Sequence, residues 1–170
     1  MKNAASTRVA AAAALLTAAC AAGATAQTAT RATTDEIATL EMDARDYLSD
    51  LSKWDRAATL FRRAAELRPE GDPTATEDLM YAARLSFYEG KERQAIRDFE
   101  AAGQRALVMG DVLVAANAFA DAAWIAQNRG YGARAHALLG RAQLLSNSPL
   151  IPEDAREHLR ARWEVTGAQQ

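Results

Sequence analysis

From residue 33 onward, apolar and polar positions along the chain recur with a helical period, and no stretch alternates with the period of two that a half-buried strand requires. Ile37, Leu40, Ala44, Tyr47, Leu48 and Leu51 follow one another mostly at three- and four-residue intervals, which places them on one face of a first helix. Thr33 and Glu36 stand at its start with the spacing of a capping box, in which a hydroxyl and a carboxylate reciprocally satisfy free backbone amides. A second helix is predicted over 53–67, closed by Pro69. After a turn at Gly71-Asp72-Pro73, Thr74 and Glu77 repeat the capping-box spacing and open a third helix to about residue 89. Helices over 92–109, 112–128 and 133–145 follow, separated by Gly90, Gly110 and Gly130, because glycine accepts the left-handed conformation that ends a helix. Ser146-Asn147-Ser148-Pro149 breaks the pattern, and Pro152, Glu153 and Asp154 start a last helix to about residue 163. Residues 112–126 are apolar nearly all round, so the fifth helix should be the most enclosed.

The three glycines stand 20 residues apart, and each is followed by the same cassette of a small, a large and a small residue. It reads Ala95-Phe99-Ala102, Ala115-Phe119-Ala122 and Ala135-Leu139-Ala142, and occurs earlier as Ala57-Phe61-Ala64. Alanine lets neighbouring helix backbones approach, and the large residue fills the space beside it. One such helix cannot bury its own face, which is the logic of stacked repeats.

The stretch Trp54, Ala57, Phe61, Ala64, Pro69 resembles the second helix of a tetratricopeptide repeat (TPR), and the cassettes after Gly90 and Gly130 resemble it less fully. The resemblance covers about residues 38–145. It departs from the family in the first helix of each pair, which lacks the full aromatic and glycine signature. The steps between hairpins are also long: 38 residues from Ala57 to Ala95, and 40 from Ala95 to Ala135. The resemblance implies an all-α, TPR-like α-solenoid of about three antiparallel hairpins over residues 33–165, with the last helix as a C-terminal cap and 166–170 as a disordered tail. It also implies a concave surface lined by the first helix of each pair. Alignment with the cassette assigns to that surface Met42, Asp46 and Ser49, then Met80, Arg84, Phe87 and Tyr88, then Asn117, Trp124, Gln127 and Asn128. Aromatic residues, Met and Arg are what protein interfaces concentrate. Phe87, Tyr88 and Trp124 fit interhelical core equally well.

Composition agrees with helices: alanine abounds, while only nine glycines and four prolines interrupt the chain. The net charge of −2, with both signs interspersed, offers no basic stripe for a nucleic-acid backbone. Residues 1–26 change the picture more. Lys2 and Arg8 precede an apolar run from Val9 to Ala19, and Ala24-Thr25-Ala26 follows with a small-x-small pattern, the three parts of a secretory signal peptide. The run is too short to span a bilayer, which takes about 20 residues. Export to the periplasm or beyond is therefore expected, with a mature start at Gln27 and a flexible lead-in over 27–32. Cys20 is the lone cysteine, so no internal disulfide can form. It lies in Leu16-Thr17-Ala18-Ala19-Cys20, which resembles a lipobox with its leucine displaced by one position. Removal with the signal and lipid anchoring at Cys20 both remain open.

Catalytic constellations are not legible. His136 and His158 lie on different predicted helices without a second ligand at metal spacing, and no nucleophile-elbow, Walker or dinucleotide pattern occurs. No cofactor or metal is expected. Carboxylate pairs such as Asp43/Asp46 and Glu153/Asp154 read as solvated faces and helix starts. The expectation is a non-enzymatic, exported scaffold binding a peptide or helical segment of another envelope protein. A small-ligand-binding or enzyme-accessory helical protein and a self-associating repeat module are the alternatives.

Overall fold

The computed structural model describes residues 33–167, and side chains as far as residue 161. Gln27, Cys20 and the segments read as signal and lead-in lie outside the described residues. Among those residues the chain is all-helical, with no strand. We number the helices α1 (33–47), α2 (Trp54–Leu67), α3 (Pro73–Tyr88), α4 (Glu92–Val108), α5 (Val112–Asn128), α6 (Gly132–Ser146) and α7 (Glu153–Gly167). By its contacts the chain divides into residues 1–38 and 39–170. Residues 33–38 are the described part of the first unit, and the packing below is that of the second.

Each of the expected helices is present, with ends shifted by local chemistry. The first helix stops at residue 47, short of Leu48 and Leu51. Asp50 explains the stop. Its Oδ1 accepts from the Ser52 amide at 3.0 Å and from the Ser52 hydroxyl at 2.7 Å, capping a short 3-10 turn at Leu51–Lys53. Leu51, expected on the inward face, is consequently 68% exposed. Likewise α3 is capped by Asp72 and not by Thr74: the Asp72 carboxylate accepts from the Thr74 amide at 2.9 Å, and Pro73 takes the first helical position. Helix α7 runs to Gly167, past the expected end near residue 163.

The connections α3–α4, α4–α5 and α5–α6 share one design. Gly90, Gly110 and Gly130 have φ of 72°, 77° and 74°, and the residue after each donates its amide to a carbonyl five residues earlier. Those bonds are Lys91 to Ser86 at 2.8 Å, Asp111 to Ala106 at 2.9 Å and Tyr131 to Ala126 at 2.9 Å. This is the Schellman ending, which satisfies carbonyls that a helix terminus leaves open. So short a connection folds each helix back on its predecessor, and contacts run accordingly from α2 to α3, α3 to α4, α4 to α5 and α5 to α6.

The cassette residues form the core. All are buried except Leu139, which is half-buried and packs on the same cluster. The structure adds a fifth copy, Ala75-Leu79-Ala82 in α3, also buried. Along residues 71–130 the buried positions recur every 20 residues: Ala75, Ala95 and Ala115; Asp78, Asp98 and Ala118; Ala82, Ala102 and Ala122. The period belongs to the single helix and not to the pair. One cluster joins α3 to α6 around Ile96, Phe99, Phe119, Ile125 and Leu138, and another joins α1, α2 and α3 around Ala44, Phe61 and Leu85. Helix α5, touching α4, α6 and α7, buries nine residues, seven of them alanine, which agrees with its all-round apolar sequence. Helix α7 lies against α5, where Ile151 and Leu159 meet Ala116.

Two aspartates outside the carboxylate pairs read as solvated are buried. Asp78 and Asp98 are 2% and 3% exposed. Arg68, at the end of α2, reaches Asp78 at 3.1 Å and Asp72 at 2.9 Å, and also bonds Glu41 of α1. Arg62 reaches Asp98 at 3.1 Å, and Gln94 donates to the same carboxylate at 2.7 Å. Burial and the nearby Glu41 charge push the Asp78 carboxyl up to about 6, against the pull of Arg68. Burial raises Asp98 as well, opposed by Gln94 and Arg62. For Arg68, burial works against the charge, but the bonds to Glu41, Asp72 and Asp78 outweigh it and raise the guanidinium's pKa. With their arginines these aspartates clamp α2 to α3 and α4.

Candidate functional site

Arg84, Phe87 and Tyr88 share one side of α3, because residues three and four apart on a helix are neighbours. Trp124 stands on α5, 40 residues beyond Arg84 and so at the equivalent position of the 20-residue period. The fold brings these four together. The Phe87 and Trp124 rings meet edge to face with centroids 5.6 Å apart. Tyr88 lies 5.8 Å from Phe87 and 5.6 Å from Trp54 of α2, so four rings run in a string across three helices. Such spacings are the favourable range for aromatic pairs.

The string is anchored at one end and open at the other. Phe87 is half-buried and packs on the α3–α6 core. Tyr88 is 67% exposed and Trp124 44%. Arg84, Phe87, Tyr88, Trp124, Phe99, Asp121 and Ile125 line a cavity of about 180 Å³. Its lining combines aromatic rings with a cation and a carboxylate. A cavity that holds a free small molecule usually measures about 300–1,000 Å³. This one is sized for a single large side chain.

The other residues expected on this surface do not line this cavity. Met42 is 60% exposed on α1 and Asp46 is also exposed, neither of them lining the cavity. The Ser49 hydroxyl donates to the Asp46 carbonyl at 3.0 Å. Met80 packs against two core clusters. Asn117 donates to the Leu113 carbonyl at 3.1 Å, and Asn128 to the Trp124 carbonyl at 3.0 Å, both bonds within α5. Gln127 is half-buried, one turn beyond Trp124. Conversely, Trp54 and Asp121 belong to the site and were not read there. The sequence marks Trp54 only as the aromatic of a repeat, and gives Asp121 no signal of a role.

His136 and His158 are exposed, and the His158 ring bonds the Asp154 carbonyl at 2.9 Å. Among the described residues no group of His, Cys, Asp and Glu is placed to hold a metal ion, and no helix is long and apolar enough to cross a membrane. Compared with family models, with curated proteins and with solved structures, the chain matches none.

Proposed function

We propose that this protein is an exported, TPR-like helical scaffold whose task is to bind a segment of another protein, not to catalyse a reaction. The observation that carries the reading is the string Trp54–Tyr88–Phe87–Trp124, held by core packing at Phe87 and open at Tyr88 and Trp124. Exposed aromatics that are already fixed in place lose little entropy on binding, and Trp, Tyr and Arg dominate binding hot spots. The cavity beside them suits one apolar side chain of a peptide, with Arg84 and Asp121 in its lining to orient polar flanks. A repeat stacked helix on helix is the architecture in which such surfaces are built. Periplasmic or envelope placement follows from the signal-like residues 1–26, and the partner is accordingly an envelope protein.

Selection of a displayed random-peptide library on the purified protein tests this. Peptides sharing a large apolar residue should be enriched, bind at micromolar or better affinity and quench Trp fluorescence. The double variant Tyr88→Ser/Trp124→Ser, which leaves Phe87 in the core, should lose that binding while its circular dichroism stays unchanged. Enriched peptides that bind the variant as well as the parent would move the site elsewhere.

A further inference from the structure

We infer that a second, independent site takes a small oxyanion, phosphate or carboxylate, carried on a flat apolar body. It lies across the turns that open α4 and α6, is lined by none of the residues of the aromatic string, and does not rest on the protein-binding reading. Two adjoining cavities of about 510 and 640 Å³ share Arg93, Arg97 and Tyr131. Both fall within the size range of small-molecule sites.

Charge singles this region out. The acids near it already have partners: Asp55 pairs with Lys91, Glu92 with Arg129, and the buried Asp98 with Arg62 and Gln94. Among the described residues neither Arg93 nor Arg97 forms a direct ion pair, although the Arg97 charge also acts on the buried Asp98. Arg97 donates to the Gln94 side chain. The Nε of Arg93 donates to the Tyr131 hydroxyl at 3.1 Å, and its guanidinium stands 5.7 Å from the centre of that ring. Arg93 is thus oriented through Nε, which leaves its terminal nitrogens for a ligand. Spaced four apart, the two arginines face the same side of α4, with Arg134 of α6 opposite and paired to Glu100. On a chain of net charge −2, the larger cavity holds three arginines and no acid. Guanidinium groups match the planar, two-oxygen edge of carboxylate and phosphate. The remaining wall is Ile96, Tyr131, Ala133 and two glycines, which calls for an apolar body on the anion.

Calorimetric titration of the full chain with phenyl phosphate, benzoate and inorganic phosphate tests the inference. One equivalent of phenyl phosphate or benzoate should bind, and whichever is tighter names the oxyanion. Inorganic phosphate should bind at least tenfold more weakly. Arg93→Gln/Arg97→Gln should weaken binding tenfold or more. So should Ala133→Glu, which sets a carboxylate in the cavity at a helix start where an acid suits the fold. Arg56→Gln/Arg160→Gln, which removes two exposed arginines elsewhere, should change affinity less than twofold. The inference is overturned if neither aromatic anion binds, if the control weakens binding as much as the pocket variants, or if inorganic phosphate binds as well as phenyl phosphate.

Discussion

A methyl group added at Gly103 would lie 2.8 Å from Cζ of Phe119, so α4 and α5 meet with the bare backbone of one against the ring of the other. Phe119 is fully buried, and the Arg141 guanidinium of α6 stands 4.0 Å from its ring centre. Three consecutive helices therefore converge on one side chain.

Gly103→Ala sets two effects against each other. Helix propensity favours alanine by about 1 kcal/mol. Overpacking a filled core costs about 1–3 kcal/mol, and the ring has no room to retreat. The clash should win, giving a lower urea midpoint than wild type. Phe119→Leu makes room, so the double variant should be more stable than the sum of the two single losses. A simple sum would show that the contact is not the cause.

Gly110→Ala and Gly140→Ala should move stability in opposite directions. Gly110 has φ of 77°, where a side chain costs about 1–2 kcal/mol. Gly140 lies inside α6 with open space where the methyl would go, so alanine should add up to about 1 kcal/mol. Thermal melting of the two variants distinguishes them in sign as well as size.

Removing Arg68 should be costly, because it strands the buried Asp78, while Glu41 keeps Arg45. Breaking a buried ion pair from one side typically costs about 3–5 kcal/mol. Arg68→Met should approach that loss, and Asp78→Asn in the same chain should recover part of it. If the second change recovers nothing, the pair does not act as a unit.

The raised Asp78 carboxyl carries a pH dependence with a definite sign. Its folded-state value of about 6 lies above the ordinary 3.8, so the folded protein holds the proton more tightly between those values. The stability it contributes, at most about 3 kcal/mol, is full below pH 4 and lost as pH rises through 6. Asp98 is shifted in the same direction. Asp72 opposes them: burial would raise it, but the Arg68 bond outweighs that and lowers it, so its contribution is lost in acid. Comparing wild type with Asp78→Asn by urea denaturation from pH 4 to 7 isolates the first effect. The variant should show a flatter loss toward pH 7, and an unchanged slope would count against the assignment.

Periodicity made the helices and most of the buried face legible, because burial in a helix depends on a local repeat that any window of sequence contains. The fifth cassette, Ala75-Leu79-Ala82, stands four and not five residues after its glycine, Gly71, but has the same burial pattern. Leu51 was misplaced because the Asp50 cap ends the helical geometry on which its face depended. Asp78 and Asp98 look like any surface acid in sequence. What buries them is an arginine 10 residues away in one case and 36 in the other. The aromatic site was half legible. Arg84, Phe87, Tyr88 and Trp124 follow from helix phase, whereas Trp54 joins them only through the packing of α2 on α3.

The identical turns at Gly90, Gly110 and Gly130 make the chain extensible in fixed increments. Copying residues 91–130 in tandem would add an up-and-down pair of helices whose every junction already exists in the parent, leaving α6 and α7 to close the longer array. A copy of a single 20-residue unit would instead reverse the direction of everything after it. Length in this protein is thus quantised by the pair, although the motif that builds it is written helix by helix.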